Sequence, residues 1–491
     1  MAEEKRVLAF DFGASSGRAV IGIFDGRTIR MEEIHRFSND PVTINGTMYW
    51  DILRLFHEVK QGLTKAHLAG RIDSIGVDTW GVDFGLLDKD GMLLENPVHY
   101  RDARTKGMLE EAFKDISRDE LYGITGNQLM EINTVFQLLS LKKQRAELME
   151  RADTMLLMPD LFNYLLCGAK KTEYSIASTT QVMDAKNRCW SQDIIDKLQL
   201  PAGIFTEIVP TASPVGRLSQ EIAEELGMEQ PEVIAVAGHD TQSAMAAVPT
   251  EAEDFLFLSC GTWSLLGTEL SEPIINEQSL AADVTNEGGY GNKTSFLKNI
   301  IGLWMIQESR RQWLREGKEY SFGELEQLAR QAKPFQSFIN PDAPEFVPSG
   351  NMPERIREYC RRTGQHVPES PGEIVRCIDE SLAMRYHQAA LEVEGCTHQA
   401  YPVLHMIGGG IQSQLLCQLT ANACQKKVIA GPVEATVIGN IALQLLASGV
   451  IEDIQTARKV IMESEPVAVY EPKDSDEWNR MYRRWEEITS C

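Results

Sequence analysis

Arg6-Val7-Leu8-Ala9-Phe10-Asp11-Phe12-Gly13-Ala14-Ser15-Ser16-Gly17-Arg18-Ala19-Val20-Ile21-Gly22-Ile23-Phe24 decides how the rest of the chain is read. Two apolar runs, Arg6 to Phe12 and Arg18 to Phe24, flank five small residues, the pattern of two strands joined by a tight turn. Glycine and serine there let backbone N–H groups approach a phosphate, and Asp11 at the mouth is placed to hold Mg²⁺ through water. Gly13-Ala14-Ser15-Ser16-Gly17 also fits the letters of a hydrolase nucleophile elbow. That device needs a helix after the serine, and Ala19 to Phe24 reads as a strand, so the elbow is rejected.

The same unit returns about 250 residues later. Asp254 to Ser259 and Ser264 to Gly267 flank Cys260-Gly261-Thr262, which implies a duplicated domain and a second phosphate-facing turn. Around the first unit, Thr28 to His35 supplies a third strand and Asp51 caps a helix through Leu53, Phe56, Val59 and Leu63. Ser74 to Thr79 is a further strand, and Asp88-Lys89-Asp90-Gly91 closes a hairpin. From about 105 to 230 the signal is mostly helical, with Pro159, Pro201 and Pro210 as punctuation. Val233 to Ala237 is a buried strand, and a short helix starts at Asp240. Leu297, Ile300, Ile301, Trp304 and Met305 recur at helical spacing and predict a helix. Tyr401 to Ile407 is a strand ending in Gly408-Gly409-Gly410, and an αβ stretch, Val428 to Gly449, precedes an acidic helical tail. Pro249-Thr250-Glu251 interrupts the pattern and divides the chain into 1–248 and 249–491.

At 491 residues the chain is long enough for two large domains, and 43% hydrophobic residues supply their cores. Lys+Arg 48 against Asp+Glu 71 leaves −23, a charge that opposes nucleic-acid binding but not a phosphate held by local N–H groups. No run of about 18 apolar residues is present, so no membrane span and no targeting segment are expected, and a cytoplasmic location fits. Nine cysteines without a C-x-x-C pair read as reduced, structural thiols.

Three further stretches carry chemistry. In Gly238-His239-Asp240-Thr241 a carboxylate stands at a helix start, where the dipole keeps it ionised and able to take a hydroxyl proton. The glycines of Gly408-Gly409-Gly410 suit close approach of a flat ligand such as adenosine. Asp78-Thr79-Trp80-Gly81-Val82-Asp83 combines carboxylates, an aromatic face and a glycine, as sugar sites do. Paired carboxylates also suit glycoside hydrolysis, although nothing in the spacing makes Asp78 and Asp83 face each other.

Taken in order, these motifs resemble the FGGY family of carbohydrate kinases, within the actin-like ATPase superfamily. The match extends through Tyr100-Arg101-Asp102, Leu157-Met158-Pro159-Asp160, Thr285-Asn286-Glu287-Gly288-Gly289, Leu297 to Trp304 and Ala430 to Thr436. The resemblance implies an α/β fold of two actin-like, ribonuclease H-like domains, each with a central mixed sheet, and a cleft between them. It implies ATP-dependent phosphorylation of a ketose, L-rhamnulose at its 1-hydroxyl, with fuculose, xylulose or ribulose as alternatives. A non-catalytic sugar or nucleotide sensor on the same fold is the alternative from another class. By the same resemblance Ala14, Ser15, Ser16, Gly17, Arg18, Thr262, Gln307 and Gly409 contact ATP. Gly81, His239, Asp240, Thr241 and Asn299 line the ketose pocket, with Asp240 as catalytic base and Mg²⁺ near Asp11. Two departures stand out: Val437-Ile438-Gly439-Asn440-Ile441 replaces the Ala-x-Gly-Ala-Ala of many members, and Cys260 replaces a second serine. Cysteine pairs are described among such kinases, but Cys360 and Cys377 give no physical reason here to assume a bond.

Overall fold

The computed structural model describes residues 4–490. Contacts divide it into two compact units. The first is the chain up to Ala247 with Leu270–Phe296 and Ala435–Ser464; the second is Val248–Glu269, Leu297–Glu434 and the chain from Glu465. The first break falls one residue before the division expected after Val248, and two later segments which that division left in the second half lie in the first unit.

In the first unit the opening strand Lys5–Phe12 pairs antiparallel with Ser16–Phe24, which pairs with Ile29–Ser38. On its other side Lys5–Phe12 runs parallel to Ser74–Thr79, bringing Asp11 beside Asp78, and Ser74–Thr79 runs parallel to Glu232–Ala235. Ser213–Arg217 closes the edge antiparallel. Helices cover both faces, so the central strands are apolar on both sides: Val7, Leu8, Ala9, Phe10 and Phe12 are all buried.

On one face, helix Ile52–Ala69 comes so close that a Cβ on Gly62 would lie 2.6 Å from the Phe10 ring. Asp51 caps this helix by accepting from the Arg54 N–H. Its buried stripe is Ile52, Leu55, Val59, Leu63 and Ala66, whereas Leu53 is 72% exposed. The expected stripe was therefore displaced at its start, because Leu53 and Leu55 fit the periodicity almost equally. On the other face, helix Ala435–Ala447 presses Ile441 onto Gly22. Phe12 stacks on Phe162 with centroids 4.5 Å apart, and each such buried aromatic adds about 1.5–3 kcal/mol by leaving water.

The regular structure of the region 105–230 is mostly helical, as expected. It mixes short helices with strands Thr154–Leu157, Thr172–Glu173, Ile208–Val209 and Ser213–Arg217. Pro159 does not interrupt a helix there but lies in the first turn of Met158–Cys167, where its missing N–H costs nothing.

The second unit repeats the arrangement. Leu256–Cys260 pairs antiparallel with Trp263–Leu270 and parallel with Val403–Ile407, which runs parallel to Lys427–Ala430, and Ala468–Tyr470 closes antiparallel. From Ser16–Phe24 to Ser213–Arg217, the first sheet has the same sequence of antiparallel, parallel, parallel, antiparallel pairings. The sequence echo is a true repetition of topology.

The helix expected through Leu297 to Met305 is instead the strand Thr294–Ile301, a turn at Gly302-Leu303, and a helix Trp304–Arg315. Apolar residues at 297, 300 and 301 satisfy a strand buried on both faces as well as a helix stripe. Gly302 is required at the turn: a Cβ there would lie 2.4 Å from the Ser264 Oγ and 2.8 Å from the Gly261 carbonyl oxygen. Helix Pro371–Thr397, the longest among the described residues, starts with a Ser370/Glu373 capping box. Cys360 and Cys377 are free, buried thiols beside each other.

Candidate active site

In the first unit the turn after Phe12 is braced at three points. The Gly13 N–H donates to the Ser16 carbonyl at 2.9 Å, and the Asn39 side chain and backbone donate to the Gly13 and Ser15 carbonyls. Ala14, Ser15 and Ser16 remain partly or fully exposed. Gly17 is buried, and a Cβ on it would lie 2.4 Å from the Phe37 ring, so packing demands this glycine. Arg18 grips the Oδ2 of Asp11 with Nε at 2.9 Å and a terminal nitrogen at 2.8 Å.

Asp78, beside Asp11, is fully buried; its Oδ2 accepts from the Asn440 amide at 2.5 Å and its Oδ1 has no partner. Burial, then the neighbouring charges of Asp11 and Asp240, hold it well above the usual carboxylate range, against the pull of Asn440 and Arg18. Asp83 is equally buried but lies elsewhere, accepting from both Trp50 and Trp80 indoles at 2.7 and 3.0 Å, the Tyr100 N–H and Gln137. Burial pushes it up to about 6 while these donors pull it down. Buried and separately bonded, Asp78 and Asp83 are no glycosidase pair. Trp80 packs tilted against Trp50, centroids 4.0 Å apart, in the core and offers no open face to a sugar.

The chain reaches Asp240 through a tightly held loop. The Thr79 N–H donates to the Gly238 carbonyl, the Gly238 N–H to Glu173 at 2.9 Å, and the His239 N–H to the Ser175 hydroxyl. Glu173 is buried and also accepts from Ser175, Ile176 and Thr211, so it fixes the loop from below. Asp240 begins helix Asp240–Ala246, and 32% of its side chain is open. Burial raises it, His239 lowers it, and Asp11 raises it again, leaving a base stronger than an ordinary carboxylate. Its Oδ1 lies 3.6 Å from the His239 Nε2 and accepts from the Thr241 hydroxyl at 3.3 Å.

Gly81 joins this group, since a Cβ there would lie 3.5 Å from the His239 Nε2 and 3.4 Å from Thr179. Its neighbour Val82 has φ of +67°, a rare and strained state for a β-branched residue that costs about 1–3 kcal/mol. Hydrogen bonds from Thr134 to the Val82 carbonyl and from the Val82 N–H to Thr179 hold it there. Gly81, His239, Asp240 and Thr241 are thus brought together in one unit.

In the second unit the Leu303 N–H donates to the Gly261 carbonyl, the Gly302 and Trp304 N–H groups donate to the Thr262 carbonyl, and the Thr262 hydroxyl donates to Gln307 at 3.2 Å. Thr262 and Gln307 therefore form one surface. Gly408 has φ of +87°, and a Cβ on Gly410 would lie 2.3 Å from the Cys260 sulfur, so both glycines are structural; a Cβ on Gly409 would meet open space. Asn299 lies half-buried on the strand Thr294–Ile301, not on a helix face as expected.

Among the described residues no three His, Cys, Asp or Glu side chains are arranged to hold a metal. Asp11 is 13% exposed and stands among the charges acting on Asp78 and Asp240. This acidic setting suits a Mg²⁺ ion held chiefly by water and phosphate oxygens.

Sequence reasoning assigned no role to Glu173, Glu287 or Asn440. Glu287 had a signal, a carboxylate in the short strand Thr285–Gly288, and the break from Ala-x-Gly-Ala-Ala marked Asn440.

Repeated mixed sheets, two small-residue turns and a carboxylate at a helix start define a phosphotransferase-like α/β protein. Residues 6–247 match the N-terminal domain model of the FGGY family of carbohydrate kinases, and residues 256–448 match the C-terminal one. The chain belongs to this family and is a sugar kinase. It is 43% identical over 480 residues to a rhamnulokinase of Bacteroides thetaiotaomicron, covering 98% of both chains. It is 44% identical over 470 residues to a rhamnulokinase of Halalkalibacterium halodurans, covering 96% of this chain and 99% of that one. The ligand-bound xylulose kinase of Lactobacillus acidophilus shares the fold, with a TM-score of 0.81 at 17% identity over 99% of this chain and 97% of its own. No helix among the described residues is long and apolar enough to cross a membrane.

Proposed function

We propose that the chain transfers the γ-phosphoryl group of ATP to the 1-hydroxyl of L-rhamnulose. The observation that carries this is Asp240, a partly open carboxylate with raised basicity beside His239 and Gly81, in a chain whose relatives over nearly full length are rhamnulokinases. The 1-hydroxyl oxygen attacks the γ-phosphorus, the bond to the β-phosphate bridging oxygen breaks, and the hydroxyl proton passes to Asp240 as ADP leaves. Phosphoryl transfer needs little covalent help, so alignment and charge neutralisation do most of the work.

Gly81, His239, Thr241 and Asn299 orient the ketose. The N–H groups of Ala14 to Gly17, Arg18, Thr262, Gln307 and Gly409 hold ATP. When bound near Asp11, Mg²⁺ neutralises phosphate charge. In this reading the segment matched by the N-terminal model carries the sugar site, first phosphate turn and base, and the C-terminal one carries the second turn and adenosine site. A cytoplasmic location follows from dependence on ATP.

The test is ADP release with rhamnulose, fuculose, xylulose, ribulose and glycerol. Rhamnulose is expected to give the highest kcat/KM; preference for another ketose reassigns the substrate, and binding without turnover supports a sensor. Asp240→Asn is expected to lower kcat at least ~100-fold with ATP binding retained. Near-parental turnover in that variant removes Asp240 as base.

A further inference from the structure

His239 stands between two carboxylates of different kinds. On one side its Nε2 lies 3.6 Å from the Oδ1 of Asp240, close to the space left by Gly81. On the other its Nδ1 lies 2.9 Å from the Oε2 of Glu287, a side chain only 7% exposed on the strand Thr285–Gly288. Glu287 is buried there, bonded to the ring and to Gln242.

Its own orientation is fixed. The Gln242 amide donates to the same Oε2 at 3.1 Å, and Gln242 is turned that way because its carbonyl oxygen accepts from the Ser295 hydroxyl at 2.7 Å. The strand is pinned by the Gly288 N–H donating to the Ser178 hydroxyl at 2.7 Å, and Gly288 admits no side chain, since a Cβ would lie 2.5 Å from the Tyr174 ring. An acceptor locked against Nδ1 requires a proton on that nitrogen.

We propose that Glu287 is a positioning residue for the base: it accepts from the His239 Nδ1–H, and with Asp240 on the other side of the ring its charge favours a second proton on Nε2, so that the doubly protonated ring presents Nε2–H beside Asp240 and the acceptor hydroxyl. This deepens the reading of Asp240 as base and rests on it. His239 then orients the ketose oxygen and keeps Asp240 ionised, while Glu287 acts only through the ring. The charged groups acting on the ring are Glu287, Asp240 and Glu173; those acting on Asp240 are His239 and Asp11. Burial opposes a charged ring, but Glu287, then Asp240 and Glu173, outweigh it and push His239 up to about 9. The ring is an imidazolium at neutral pH.

Glu287→Gln keeps the shape and removes the charge. It is expected to lower kcat/KM for the ketose roughly tenfold or more while leaving the KM for ATP near the parental value. With His239 neutral, Asp240 loses its nearest cation, so the acid limb of the pH profile moves up and the basic limb, where His239 loses its proton, moves down. In a His239→Gln background the same substitution is expected to have no further effect. A profile of unchanged shape, or an equal loss in both backgrounds, overturns the proposal.

Ring-nitrogen NMR of the parent, assigned with His239→Gln, reads the pair without activity and does not require Glu287→Gln to fold. A doubly protonated His239 at pH 8 supports the proposal, and titration near 6.5 overturns it. Active Asp240→Asn instead sinks the base assignment, while the ring signal of the parent still reads the Glu287–His239 pair on its own.

Discussion

The smallest features of the site are about space and protons. Gly81 leaves the gap beside His239 Nε2, and its added Cβ would make only ordinary contacts at 3.4 and 3.5 Å. Gly81→Ala is therefore expected to fold with a thermal midpoint close to the parent while weakening ketose binding by about 1–3 kcal/mol, seen as a higher KM with a smaller change in kcat. A lower midpoint with unchanged KM places the methyl in the core instead of the pocket. Asp240 drew attention in the sequence as a carboxylate at a helix start, where it serves equally as an N-cap, and Gly81 through the family resemblance. Glu287 was not legible, because its meaning depends on Nδ1 of a residue 48 positions earlier. Gly17 and Gly410 show the converse: glycines that suited phosphate or adenosine on paper are required by Phe37 and Cys260.

Among elements, the strands of the repeated hairpin were readable since alternation and a small-residue turn leave one local solution. The segment around Leu297 to Met305 was not, because a strand buried on both faces and an amphipathic helix share the same apolar letters. Helix pairs offer sharper tests. Helix Ala435–Ala447 meets helix Asp240–Ala246 at Gly439, where a Cβ would lie 1.8 Å from the Ser243 carbonyl oxygen. Gly439→Ala must push the helix bearing Asp240, at a cost of about 1–3 kcal/mol or more, so both denaturant midpoint and kcat are expected to fall.

On helix Pro371–Thr397, Asp379 is buried with an unpartnered Oδ1, and burial raises it to about 8 against the pull of Arg376. The folded state holds its proton longer than the unfolded chain, so this group's stabilisation is full below pH 3.8 and is lost as pH rises toward 8. Asp379→Asn removes that loss. Its denaturant midpoint is expected to exceed the parent's more at pH 8 than at pH 5; an equal offset at both pH values argues that Asp379 is ionised in the fold.

At the scale of the molecule, duplication was visible in the chain as a repeated turn, and Pro249-Thr250-Glu251 marked an interruption close to where the first unit's opening segment ends. The return of Ala435–Ser464 to the first unit was not visible, since a helix's letters do not name the sheet it covers. Its polar residues explain the return. Asn440 satisfies the buried Asp78, and Gln444 donates to the Leu8 carbonyl and accepts from Ser74, while Gly22 and Gly76 clear the space for Ile441 and Asn440. Without that helix, Asp78 loses its single hydrogen-bond donor and one apolar face of the central strands meets water, so both terms act against folding. Residues 1–247 alone contain the N-terminal family domain but not this cover. Expressed as a fragment, they are expected to give no cooperative thermal transition and a weak near-ultraviolet circular dichroism signal. Adding Leu270–Phe296 and Ala435–Ser464 through short linkers is expected to restore both. A sharp transition in the bare fragment means that the sheet face tolerates exposure and that the helix contributes to the site more than to the fold.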